Sequence, residues 1–479
     1  MKRPSSRKEK FANTALWVAL LFFGGILTYL LVRAAIHHSP MTHGYIILVV
    51  TAGAAFSLFA LTRPTETKVN MALALTIWVT SIYACELFLF FRYPLSQHTV
   101  LDIGRPRIPF WGPRDALKTL DDLKASGIDA YPHASPARFI ASDGLPGRNL
   151  FPLSGISEKV TLLCKELGEP ITYKSDEHGF NNPEGLWEKE RVEVVLIGDS
   201  FTHGNCVQRE DGIAGQLRGM GKTVANLGMA GTGPLIQIAT LEEYARPITP
   251  GIVFWIYCEG NDILNLEQEK KSPTLIRYMR SGFSQNLIKH QSEIDQALRD
   301  YMGHEIKKEV DKIQEGVQTA SGFEQVAKLA IMRRLTENVL LFRAANLSLF
   351  QEVLLQAKRK TAAWGGRFYF VYLPTIERYT LKVDHDAFQS RKKILSVVRD
   401  AGIPVIDITD IFATHQDAPS LFAYRTGGHY NADGYRLVAQ TIFDTVYRTG
   451  VRTLVSDDPS VPATETIMRS KMSDQKRSD

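Results

Sequence analysis

Val192-Glu193-Val194-Val195-Leu196-Ile197-Gly198-Asp199-Ser200-Phe201-Thr202-His203-Gly204 passes from a short, β-branched apolar run directly into a glycine, an acid and a serine. A run of that length, charged before it and broken by glycine after it, is the pattern of a buried strand opening into a helix. Four more segments along the chain repeat the pattern: Thr223–Leu227, Ile252–Tyr257, Arg367–Leu373 and Pro404–Ile408. Each is followed by turn residues, and the stretches between them have helical period. Strands alternating with helices predict an α/β fold, a three-layer α/β/α sandwich on a mostly parallel five-stranded sheet.

In such sheets ligands sit beyond the carboxyl ends of the strands, and the chemistry-bearing residues of this chain gather there. Ser200 follows the first strand, where its hydroxyl and neighbouring backbone N–H groups would face one space, an arrangement that suits a nucleophile with an oxyanion site. Asn226-Leu227-Gly228-Met229-Ala230-Gly231-Thr232-Gly233 follows the second strand, with glycines that permit tight turns or close approach of backbone to a ligand. Glu259-Gly260-Asn261-Asp262 follows the third and offers the Asn261 amide as a donor. Late in the chain Gly427-Gly428-His429-Tyr430-Asn431 precedes the last helix, so His429 stands on a loop and not in an apolar stripe. Taken singly, each block reads equally well as an ordinary turn or a surface histidine; as a set they supply a nucleophile, donors and a base.

In this order the four blocks resemble the SGNH (GDSL-like) hydrolase superfamily over roughly residues 193–446, with a flavodoxin-like sheet. The resemblance implies Ser200 as nucleophile and His429 as general base. Ser200 N–H, Gly231 N–H and the Asn261 amide would be the oxyanion donors, with Gly198, Asp199, Gly260 and Asp262 supporting the motifs and Asp199 structural in role. Asp176-Glu177-His178-Gly179-Phe180 is similar to a lead-in of membrane-tethered members. One position departs: where the family carries an aspartate three residues before the histidine, this chain has Thr426, and Gly427 follows. Loss of orientation at that place in a serine-protease triad costs about ten-thousand-fold in turnover. Either another acid orients His429, with Asp407 and Asp410 the candidates by topology, or a Ser–His dyad works with a backbone carbonyl, or the site is impaired. Asp433 reads instead as an early helix acid favoured by the dipole.

The apolar residues are unevenly spread. Over the whole chain 44% are hydrophobic and 22% charged, with net charge +5, yet residues 11–32, 44–62 and 69–91 are long apolar runs that predict three transmembrane helices. A cleaved signal peptide fits the first run less well, since it is too long and two more runs follow. Lys2, Arg3, Arg7, Lys8 and Lys10 mark residues 1–10 as cytoplasmic, so an odd number of spans would place the rest outside, in the periplasm. Residues 92–185 read as a loop-rich connector and lead-in, 186–455 as the catalytic domain, and 456–479 as a polar, disordered tail. Within the domain, residues 264–322 are charged and interrupt the alternation. They read as a helical cap beside the site or, equally, as a solvated helix with no role there. No basic stripe suggests nucleic acid. Cys85 lies in the third apolar run, and Cys164, Cys206 and Cys258 permit one disulfide or none.

Together these readings imply a multi-pass inner-membrane protein with an extracytoplasmic serine esterase or acyl (acetyl) transferase, needing neither metal nor organic cofactor. Similarity to membrane-anchored members implies an O-acylated surface glycan as substrate and a membrane acyltransferase as possible partner. The alternative is a catalytically silent domain that binds glycan in a membrane assembly. Lipase and transporter readings rank lower, because the apolar runs carry no internal charge except Glu86.

Overall fold

The computed structural model describes residues 7–37, 44–92, 113–164, 169–314, 347–380, 391–425 and 428–448. The chain divides into two units, one built on residues 1–94 and the other on residues 95–319 and 334–479.

In the first unit three helices, Arg7–His37, Gly44–Leu61 and Thr65–Arg92, pack through the small residues Ala12, Ala60 and Ala72 and through Leu16. Their outer faces expose Phe11, Trp17, Leu21, Phe22, Phe59, Ile77 and Trp78. Exposed apolar surface of that extent has no counterpart on a water-soluble monomer and suits a lipid environment. Among the described residues two stretches, Arg7–Thr28 and Thr65–Phe88, are long and apolar enough to cross a membrane, with a shorter apolar stretch, Val50–Leu61, between them. Of the three expected spans, two are seen among the described residues.

The second unit is built on two sheets. The larger has five parallel strands: β4 (Val194–Gly198), β5 (Val224–Asn226), β6 (Ile252–Cys258), β7 (Arg367–Leu373) and β8 (Val405–Asp407), in spatial order β5-β4-β6-β7-β8. All five lie where the apolar runs predicted them, with ends shifted by one or two residues. Period-two alternation splits their side chains between two cores. Val195, Ile197, Val253, Trp255, Tyr257, Phe368, Phe370 and Tyr372 face one way, against helices Pro234–Thr240, Leu347–Ala363 and Arg391–Asp400. Val194, Leu196, Ile252, Phe254, Ile256, Tyr369, Val371 and Leu373 face the other way, against helices Ile213–Gly219 and Ala432–Phe443. This is the expected three-layer sandwich. Chain order reverses between β4 and β6, and that crevice is where such sheets bind ligands.

Part of the stretch 92–185 read as a loop-rich connector carries the smaller sheet; residues 93–112 lie outside the described residues. Residues 113–185, apart from 165–168, which lie outside the described residues, form the helix Pro113–Ala125, the strands β1 (Ala130–Pro132), β2 (Val160–Cys164) and β3 (Ile171–Lys174), and a 3-10 turn Pro136–Phe139. β1 and β2 are parallel, and β2 and β3 antiparallel. Phe139, Phe151, Leu153 and Phe180 are buried in the same core as the large sheet, and Cys164 forms a disulfide with Cys206, just past the Ser200 helix. Scattered Pro, Gly and aromatic residues conceal a packed layer because its strands are short and its burial is tertiary.

The charged insertion also packs inward. Leu264, Leu266, Leu275, Tyr278, Leu287, Ile294, Leu298 and Met302 are buried in that core as helices Asp262–Glu269, Pro273–Arg277 and Gln291–Gln314. These segments are therefore packed and not solvated. A further helix spans Leu347–Ala363; residues 315–346, Thr426, Gly427 and the tail 456–479 lie outside the described residues.

Candidate active site

β4 ends at Gly198, where no other residue fits: a Cβ there would come within 2.2 Å of Thr202 Oγ1 and 2.6 Å of the Ile256 carbonyl. The chain then turns at once into the short helix Ser200–His203, capped by Asp199, whose carboxylate accepts from Phe201 N at 3.0 Å. Ser200 is thereby the first helical residue beyond β4.

His429 reaches the same point from far along the chain. The loop before helix Ala432–Phe443 is fixed by Asn431, which caps that helix through Gly434 N at 3.1 Å. Tyr430, fully buried, donates to the Pro374 carbonyl at 2.6 Å, and Ala423 N donates to the His429 carbonyl at 3.1 Å. The imidazole packs against the Phe201 ring, with centroids 5.0 Å apart. Its Nε2 lies 2.9 Å from Ser200 Oγ. That is hydrogen-bond reach between a hydroxyl and a base, the arrangement general-base activation requires.

Asp199 is the second acceptor near the serine, 3.4 Å from its Oγ. Burial pushes its carboxyl above the usual range, opposed by the Asn261 amide, the Phe201 N–H and the nearby His429. The serine has one proton and two neighbours; His429 is the closer. Asn261 Nδ2 donates one of its two hydrogens to Asp199 Oδ2 at 2.9 Å. Asp262, also buried, accepts from Cys258 N at 2.8 Å, and burial and the charge of Asp199 push its carboxyl up. Gly260 sits in the turn between β6 and helix Asp262–Glu269. Gly231 has φ 80° in the loop after β5, and the Ala230 carbonyl beside it accepts from Ser135 Oγ at 2.6 Å.

The acids expected to orient His429 are engaged elsewhere. Asp407 accepts from Arg391 Nε at 2.9 Å and from Thr409 N at 3.0 Å. Asp410 lies 3.6 Å from the same guanidinium with its side chain half exposed. Among the described residues no hydrogen bond joins either to His429; Asp407 and Asp410 brace the end of β8. Asp433 pairs on the surface with Arg436 at 2.6 Å.

Three further supports hold the site together. Glu259 is fully buried, accepts from Tyr372 Oη at 2.7 Å and Thr375 N at 2.8 Å, and pairs with Arg378. Its place ties the Gly260–Asn261 turn to the end of β7. Asn181 and Asn182, just past the Asp176–Phe180 lead-in, stitch it to the site: Asn181 Nδ2 donates to the His203 carbonyl at 3.1 Å, and Asn182 exchanges hydrogen bonds with Asn226 at 3.0 and 2.7 Å. His203 accepts from Ala230 N through Nδ1 at 3.4 Å and meets Tyr173 Oη through Nε2 at 2.9 Å, and burial keeps it neutral by pulling its pKa far down. The paired asparagines after a glycine turn were the available signal.

No family model matches the chain, and no curated protein matches it. Among solved structures it is similar to a lipolytic G-D-S-L family member from Veillonella parvula, at 17% identity over 53% of this chain and 98% of that one, TM-score 0.30. It is also similar to a lipase/acylhydrolase from Enterococcus faecalis, at 14% identity over 52% and 92%, TM-score 0.30. A third is the esterase EstA from a Pseudoalteromonas species, at 12% identity over 54% and 98%, TM-score 0.27. At those scores the likenesses carry nothing for the site, which stands on its own geometry.

Proposed function

We propose that this protein is a serine-dependent ester hydrolase or acyl transferase. The observation that carries the reading is the 2.9 Å approach of His429 Nε2 to Ser200 Oγ at the switch point of a parallel sheet. His429 takes the serine proton as Oγ attacks an ester carbonyl, and the alkoxide leaves as an alcohol when His429 returns the proton. Gly231 N–H and Ser200 N–H stabilise the tetrahedral oxyanion, with the Asn261 amide as third donor. The acyl-enzyme then passes its acyl group to water or to a sugar hydroxyl. The Cys164–Cys206 disulfide supports action outside the cytoplasm, because disulfides persist in oxidising compartments. An O-acylated surface glycan is the substrate class we infer for an ester site tethered to a membrane face.

The test is p-nitrophenyl acetate hydrolysis by the full chain in detergent beside its Ser200→Ala variant. Turnover abolished by the substitution supports the reading. A folded wild type no faster than the variant overturns it in favour of glycan binding. A carboxy-terminal reporter active only outside the cytoplasm decides the location, and a silent reporter overturns the placement.

A further inference from the structure

The loop that carries Gly231 is a tight turn with two accessible backbone forms, and a residue from the small sheet's layer selects between them. Thr232 N donates to the Met229 carbonyl at 3.3 Å, closing the turn Met229-Ala230-Gly231-Thr232 with Gly231 at φ 80°. A positive φ at the third position marks a type II turn. Types I and II differ by a rotation of roughly half a circle of the central peptide, here the one joining the Ala230 carbonyl to the Gly231 N–H, while the flanks stay in place. Glycine tolerates either form. The sequence of the turn therefore leaves open the direction of the Gly231 N–H.

The flanks are held from several sides. Thr232 Oγ1 donates to the Met229 carbonyl at 2.7 Å, and Ala230 N donates to His203 Nδ1 at 3.4 Å. None of these bonds touches the central peptide. Ser135 does: its Oγ donates to the Ala230 carbonyl at 2.6 Å, and the buried imidazole of His133, two residues earlier, also lies against the Ala230 backbone. The same Oγ accepts from Ala137 N at 3.3 Å as the cap of the Pro136–Phe139 turn, so the hydroxyl is held in place. In a trans peptide the carbonyl and N–H point in opposite directions. Pinning the Ala230 carbonyl on Ser135 therefore aims the Gly231 N–H the other way, and a hydrogen bond to the carbonyl also polarises that N–H.

We propose that Ser135 is a positioning residue for the oxyanion site, holding the turn 229–232 in its type II form so that the Gly231 N–H is presented to the reacting carbonyl. This rests on the reading of Ser200 as nucleophile and Gly231 as donor. A hydrogen bond of ordinary net strength shifts a two-form equilibrium by about ten-fold, and loss of a whole oxyanion donor costs about a hundred- to thousand-fold.

The experiment measures p-nitrophenyl acetate turnover by the full chain in detergent for wild type, Ser135→Ala, Ser135→Thr and Ser200→Ala. We expect Ser135→Ala to lower kcat by up to about ten-fold with KM little changed, and Ser135→Thr, which keeps the hydroxyl, to restore most of it. Retention of the wild-type kcat in Ser135→Ala overturns the proposal, as does a threonine variant no better than alanine. Should Ser135→Ala fail to fold, Ser135→Val against Ser135→Thr, equal in shape and differing in the hydroxyl, gives the same comparison. If wild type is no faster than Ser200→Ala, the ester reading has failed. Ser135 is then judged by a crystal structure of Ser135→Ala: a negative φ at Gly231 supports its hold on the turn, and a φ still near 80° overturns it.

Discussion

Asn261 Nδ2 donates to Asp199 Oδ2 at 2.9 Å, joining the turn after β6 to the cap of the nucleophile helix after β4. Asp199 is fully buried, and this amide is one of the few groups that offset the cost of placing a carboxylate there. Asn261 thus serves the resting site by supporting Asp199, whatever it does once an oxyanion forms. Asn261→Ala should therefore destabilise the fold by about 1–3 kcal/mol, the usual penalty for stripping a donor from a buried acceptor, and lower turnover by about a hundred-fold or more. Thermal unfolding and ester hydrolysis read the two effects separately. An unchanged melting temperature would show that the Asp199 contact is absent in solution.

His429→Ala should reduce ester turnover by on the order of a thousand-fold or more, leaving the residual rate that oxyanion donors and binding provide. Because the ring packs on Phe201 while the loop is held through Tyr430 and Asn431, the fold should survive. Circular dichroism checks that survival, and a variant with near wild-type turnover would remove His429 from the chemistry.

Arg378→Met leaves the buried Glu259 without its guanidinium. Breaking a buried ion pair from one side costs about 3–5 kcal/mol, so the melting temperature should fall markedly. The double variant Arg378→Met, Glu259→Gln should recover much of the loss. Equal melting temperatures for the single variant and wild type would contradict the pairing.

Glu269 gives the fold a pH dependence. Its carboxylate accepts from Gly233 N and Leu235 N, at 2.5 and 2.8 Å, at the start of the helix after the Gly231 turn. Burial pushes its pKa up to about 7, against the pull of those N–H groups. A group with a raised folded-state pKa contributes stability that is fully present below its ordinary value of 4.5 and is lost as pH rises through about 7. Unfolding midpoints measured from about pH 5 to pH 8 should carry this decline in wild type. Glu269→Gln should lack it.

Replacing Cys164 and Cys206 by alanine opens a covalent loop of 42 residues. The chain-entropy estimate for such a loop is about 4 kcal/mol, with typical losses of about 2–5. Chemical denaturation with and without reductant measures it, and the activity of the surviving folded fraction should fall too, since Cys206 closely follows the Ser200 helix. A denaturation midpoint indifferent to reductant would contradict the pairing.

Local patterning along the chain is enough to encode part of this architecture. Five apolar runs placed the five strands of the large sheet, because burial on both faces demands continuous apolar side chains whatever the partners are. Gly198-Asp199-Ser200 announced its own turn, since only glycine fits beneath Thr202 and Ile256. Strand ends then indicated which residues would meet, and Ser200 and His429 do meet, 229 residues apart. Tertiary packing accounts for the rest. Asp407 and Asp410 stood at a strand end and looked available, but a guanidinium from helix Arg391–Asp400 claims them. Residues 113–185 had no period to read, because strands of three to five residues are too short to show one and are stabilised by what they pack against. Ser135, Asn181, Asn182 and Arg378 are ordinary polar residues in sequence. Their work depends on a carbonyl, an amide or a buried carboxylate brought to them by distant parts of the chain, and no local pattern records such a meeting.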